Sequence, residues 1–111
     1  MKEMTHAIDA LDAVVRERKE IPAEDSYTCY LFAQGKDKIL KKCGEECAEV
    51  IIAAKNDSPE ALTEEIADLV YHLLVLMASE GLPLTKLYDV LEGRRKKIGN
   101  LKTFHEVNRE S

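Results

Sequence analysis

Between Ile66 and Ala78, only Asp68 and His72 interrupt a run of thirteen otherwise apolar or aromatic residues. Wound into a helix, those side chains surround the axis almost completely, and a helix apolar on every side must be buried on every side. The run is too short, and too polar at two positions, to span a bilayer. Its cover therefore has to be protein. The chain has 111 residues, enough for one domain with a radius of gyration of about 13 Å. A few short helices can hardly enclose this one from all directions. A second copy of the chain is the simplest cover, so a homo-oligomer, first of all a dimer, is expected, with this helix near the interface.

The remainder also reads as helix. The first element runs from about Glu3 to Lys19, with Ala7, Ile8, Leu11, Val14 and Val15 repeating at three and four. Ile21-Pro22 ends it, and Asp25-Ser26 caps a short helix, Tyr27 to Gln34, closed by Gly35. The next long helix, about Asp37 to Asn56, places Ile39, Leu40, Cys43, Cys47, Val50, Ile51 and Ala54 within an arc of roughly 120°. Ser58 and Pro59 open the apolar helix, which Gly81 and Pro83 stop near Glu80. A last helix, about Leu84 to Lys97, carries Leu84, Leu87, Tyr88 and Leu91 on one side. The expectation is an all-α, four-helix bundle-like protomer whose helices pack across an oligomer interface. It is one domain over residues 1–111, with a core at about 21–97 and a polar tail at 98–111.

Charge and cysteine usage narrow the classes of function. A net charge of −5 argues against diffuse nucleic-acid binding. The polar N-terminal stretch has no signal-peptide character, so a cytoplasmic location without membrane partners is expected. Cys29, Cys43 and Cys47 form no CxxC pair. They read as reduced thiols, Cys43 and Cys47 facing the core.

Two groups of acids stand on the two central helices. Glu45, Glu46 and Glu49 project from one flank, within about 100° of one another, opposite the face of Cys43, Cys47 and Ala54. Lys38 and Lys42 share that flank, and Lys42 with Glu46 is an i,i+4 ion pair. By itself such a stripe is ordinarily solvated surface. Asp68 is different, because a carboxylate amid Leu69, Val70, Leu73 and Val75 is costly to desolvate without a partner. The helix has no Lys or Arg within two turns of it, which makes a metal ion the economical partner. Glu65 lies one turn before Asp68 on the same side, and His72 one turn beyond reads as a hydrogen-bonded packing residue. Magnesium takes oxygen ligands and keeps waters, which suits carboxylates from two helices. Carboxylates and magnesium without a Cys or Ser nucleophile point to phosphate chemistry. The GxxxxGK[ST] loop of P-loop NTPases is absent.

Glu45-Glu46-x-x-Glu49 followed by Glu65-x-x-Asp68 resembles the EExxE…ExxD signature of the all-α, MazG-like nucleoside triphosphate pyrophosphohydrolases. Within these, Ser26-Tyr27-Thr28, Leu31, Gly35, Lys42-x-Gly44-Glu45-Glu46, Glu49 to Lys55 and Ala67 to Leu74 are similar to the phosphoribosyl-ATP pyrophosphatase family of histidine biosynthesis. The likeness spans about Ile21 to Arg95. It implies hydrolysis of 1-(5-phosphoribosyl)-ATP to 1-(5-phosphoribosyl)-AMP and pyrophosphate, by water attack between the α and β phosphates with Mg2+ bound. By position it implies Glu46, Glu49, Glu65 and Asp68 as metal ligands and Glu45 as a ligand or water-activating base. Glu46 and Glu49 thereby also count as catalytic. Lys38 and Lys42 become candidates for phosphate contact, or ordinary ion pairs. Ser26, Tyr27 and Thr28 lie near the substrate as hydroxyl donors, or cap and pack the short helix.

The chain departs from the pattern at Cys43 and Cys47 and in the tail after Lys97. The basic run Arg94 to Lys97 reads as a solvated helix end. No stretch resembles the cyclohydrolase to which such enzymes are often fused, so that activity is expected from another polypeptide. Two other readings stand beside this one. One is a housekeeping pyrophosphohydrolase of nucleoside triphosphates with the same carboxylates. The other is a non-catalytic oligomerisation module whose acids are surface charge.

Overall fold

The computed structural model describes residues 6–99, which form five α-helices and no strand. These are α1 (Ala7–Glu20), α2 (Tyr27–Gln34), α3 (Lys36–Lys55), α4 (Pro59–Ser79) and α5 (Leu84–Ile98). The expected first turn at Glu3 and nearly all of the tail lie outside the described residues. None of the described helices is long and apolar enough to cross a membrane.

Local chemistry sets the boundaries. Ser26 Oγ accepts the Cys29 N–H at 3.1 Å and Ser58 Oγ accepts the Ala61 N–H at 3.3 Å, so both helices start on a side-chain cap. Gly35 alone separates α2 from α3, with φ +96°, a conformation that other residues adopt only under strain. α4 ends in a Schellman motif. The Leu82 N–H reaches Met77 O at 2.9 Å, and that of Gly81 reaches Ala78 O at 3.2 Å, with Gly81 at φ +72°. Two side chains of α1 complete that end: Lys19 donates to Ala78 O at 2.8 Å, and Arg16 donates to Leu82 O. Arg16 is itself held by the buried Asp12, at 3.0–3.1 Å from its Nε.

α3 and α4 form a helical hairpin, the most extensive packing in the molecule, with α1 against α4 and α2 wedged between them. The core joins Val15, Leu31, Ile39, Cys43, Val75 and Ala78. Three expected faces are shifted. On α3 the buried residues are Ile39, Cys43 and Ala53, while Leu40, Cys47, Ile51 and Ala54 are exposed. The α3 face that meets α4 is thus turned by about 60° toward the acids, because α4 approaches from the Glu46 side. On α1 the buried side chains are Asp12 and Val15, and Ile8 and Val14 are open. On α5 only Leu84 is buried, and among the described residues the helix packs along no other.

Candidate active site

The α3–α4 hairpin brings the two acidic motifs face to face. One carboxylate oxygen each of Glu46, Glu65 and Asp68 lies within 4.8 Å of the others. Residues three apart on α4 share a face, and the rotation of α3 brings Glu46, half-buried, onto the seam. Such proximity is electrostatically unfavourable for ionised groups. Partial burial first, then the charges of Glu49, Asp68 and Glu46, push the Glu65 carboxyl above the ordinary carboxylate range. Glu49 is therefore part of the same field, one turn beyond Glu46. Magnesium–oxygen distances of about 2.1 Å put ligands on one ion at most about 4.2 Å apart. The trio's spacing of up to 4.8 Å is close to that limit, so the residues present fit a hard divalent cation.

Asp68 itself is exposed in the single chain. The expected desolvation is absent because the core cluster takes Val75 and Ala78 of α4, about two turns and more beyond Asp68 along the helix. What sets it apart is the company of other carboxylates.

Glu45 stands outside the trio. It pairs with Lys42 at 3.1 Å, in place of the expected Lys42–Glu46 pair, because i,i+3 spacing puts Glu45 within reach while Glu46 turns to α4. The ammonium keeps the Glu45 carboxyl below the usual range, and the same bond raises Lys42. Lys38 extends over the Tyr30 ring, 5.8 Å from its centroid.

The Ser-Tyr-Thr segment adjoins the acids through α2. Ser26 is occupied as the cap of α2, and Thr28 is hydrogen-bonded to the Tyr71 hydroxyl. The Tyr27 hydroxyl lies 3.0 Å from His72 Nε2, and His72 Nδ1 lies 2.8 Å from Asp68 O. A carbonyl only accepts, so Nδ1 carries the proton; in the neutral ring Nε2 is bare and Tyr27 donates to it. His72 is buried and packs as its sequence context suggested. Its bond to Tyr27 was not foreseeable, because the partners are 45 residues apart. Asp12 was likewise missed; its i,i+4 spacing to Arg16 was the available signal. Cys43 is buried and Cys47 exposed, so only one of the two thiols faces the core.

The profile of the phosphoribosyl-ATP pyrophosphohydrolase family matches residues 8–95, the span from α1 into α5 that builds the seam. A phosphoribosyl-ATP pyrophosphatase of Clostridium botulinum (strain Kyoto / Type A2) is 53% identical over 97 residues, 87% of this chain and 88% of that protein. One from Listeria monocytogenes serotype 4a is 51% identical over 94 residues, 85% and 90% of the two chains. Another, from Bacillus cereus, is 43% identical over 105 residues, 95% and 98%. With both acidic motifs on one hairpin and likeness along nearly its whole length, the chain belongs to the phosphoribosyl-ATP pyrophosphohydrolase family.

Proposed function

We propose that this chain hydrolyses 1-(5-phosphoribosyl)-ATP to 1-(5-phosphoribosyl)-AMP and pyrophosphate, the second step of histidine biosynthesis, as a cytoplasmic enzyme. The observation that carries the reading is the meeting of Glu46, Glu65 and Asp68 within 4.8 Å in a chain of this family. Glu46, Glu49, Glu65 and Asp68 would hold Mg2+, which when bound neutralises polyphosphate charge and makes a bound water more acidic. Water attacks the α phosphorus, the bond from that phosphorus to the α–β bridging oxygen breaks, and pyrophosphate leaves. The proton released by the water needs a carboxylate acceptor. Glu45, Glu46 and Glu49 are the candidates: Lys42 lowers the basicity of Glu45, and the cation would lower that of Glu46 and Glu49 as its ligands. Lys42 and Lys38, on the same helix, meet phosphate oxygens. Tyr27 faces the substrate from α2, held in place by Ser26 and Thr28.

The working unit in this reading is a homodimer. Ile66 and Leu73 of α4 remain 45% and 41% exposed, on a flank roughly 80–160° around the helix from Glu65 and Asp68. A second copy covers that flank and brings the sites close to the interface. Pyrophosphate release from phosphoribosyl-ATP, measured with magnesium and with chelator, tests the activity. Release only with magnesium supports it, and silence on this substrate from folded protein removes it.

A further inference from the structure

Tyr27 and Tyr30 stand side by side on α2, each 45% exposed, with ring centroids 6.1 Å apart and planes within 26°. Two half-exposed rings stacked in this way form an aromatic wall on α2. The wall is braced from behind, since Tyr27 also packs against Tyr71 at 6.2 Å and edge-on against His72 at 5.7 Å. The His72 bridge then ties the Tyr27 hydroxyl, at 3.0 Å, to the backbone of Asp68, at 2.8 Å. The wall is thereby held at a fixed distance from the carboxylates. Tyr27 is close enough to Lys42 and Glu46 to feel both charges, and the Lys38 ammonium lies over Tyr30. Aromatic faces beside two ammonium groups and a carboxylate cluster suit a ligand with a flat heteroaromatic base at one end and phosphates at the other.

Building on the activity proposed above, we infer that Tyr27 and Tyr30 form the subsite for the purine base of the nucleotide. The base stacks on the tyrosine wall while the phosphates run toward the lysines and acids. The Tyr27 hydroxyl donates its hydrogen bond to His72, which leaves its oxygen lone pairs to accept from a donor such as an exocyclic amine or a ribose hydroxyl.

The test pairs kinetics with binding. Removing one stacking ring should raise KM about tenfold, so Tyr30→Leu should do this with kcat within about twofold, and Tyr30→Phe should restore KM. With chelator present, AMP should shift the Tyr27 and Tyr30 ring-proton resonances of the wild type, and ribose 5-phosphate should not. An active wild type whose KM is unchanged by Tyr30→Leu would overturn the subsite and leave the activity standing. A changed subunit count in Tyr30→Leu would also overturn it, assigning the wall to contact between copies. An inactive wild type whose tyrosines still respond to AMP alone would remove the proposed activity and keep the subsite.

Discussion

In the proposed reading single side chains carry the chemistry, and Glu65 is placed against its own electrostatic interest. Glu65 is held above its ordinary pKa by burial and by Glu49, Asp68 and Glu46. A carboxyl raised by folding contributes stability below the ordinary value of 4.5, and that contribution is lost as pH rises through the raised one. At pH 7 the ionised cluster therefore opposes the fold unless a cation relieves it. In chelator, Glu65→Gln should melt at a higher temperature than the wild type at pH 7, with the gain shrinking as pH falls toward 4.5. Magnesium should raise the melting temperature of the wild type more than that of the variant. Identical melting curves would show that the acids do not couple. Asp68→Asn should fold normally yet lose at least about 100-fold in turnover, as expected when an interaction needed for metal binding or the transition state is removed. Wild-type turnover at limiting magnesium would remove Asp68 from the ligand set.

At the scale of elements, the boundaries were legible because they rest on local chemistry. Ser26 before Tyr27, Ser58-Pro59 before α4 and Gly81 after it each act within a few residues of the helix end they define. Which face of α3 is buried was not legible. The apolar count favoured Leu40, Cys47 and Ile51, but α4 docks where it can meet Glu46 as well as Cys43, and periodicity holds no information on that choice. The two acidic motifs could be read as patterns, while their convergence needed the hairpin. The Tyr27–His72 contact was invisible for the same reason. Gly35 offers a clean test of the junction between α2 and α3. A Cβ there would meet nothing within 4 Å, so Gly35→Ala should cost backbone strain alone, about 1–3 kcal/mol, in urea unfolding. A stability equal to wild type would mean that the junction takes another conformation.

For the whole molecule, the single chain is less compact than its length leads one to expect. Its radius of gyration is 16.6 Å, against about 13 Å for a self-contained domain of this size. Leu87, Val90 and Leu91 lie open along α5, and its Tyr88 reaches the body through a hydrogen bond to Asp9 at 2.7 Å. The sequence foretold the unsatisfied surface of α4, because a helix apolar on every side exceeds what four neighbours can cover. A dimer should be seen by light scattering, and Leu73→Asp should shift it toward monomer, since a charge there would be buried without a partner. A wild type that stays monomeric at micromolar concentration would contradict the assembly. The activity is tested most directly by pyrophosphate release from phosphoribosyl-ATP, with ATP and dNTPs as controls, in magnesium and in chelator. Magnesium-dependent release confined to phosphoribosyl-ATP is the predicted result, whereas release from ordinary nucleotides, or none from any substrate, would contradict it.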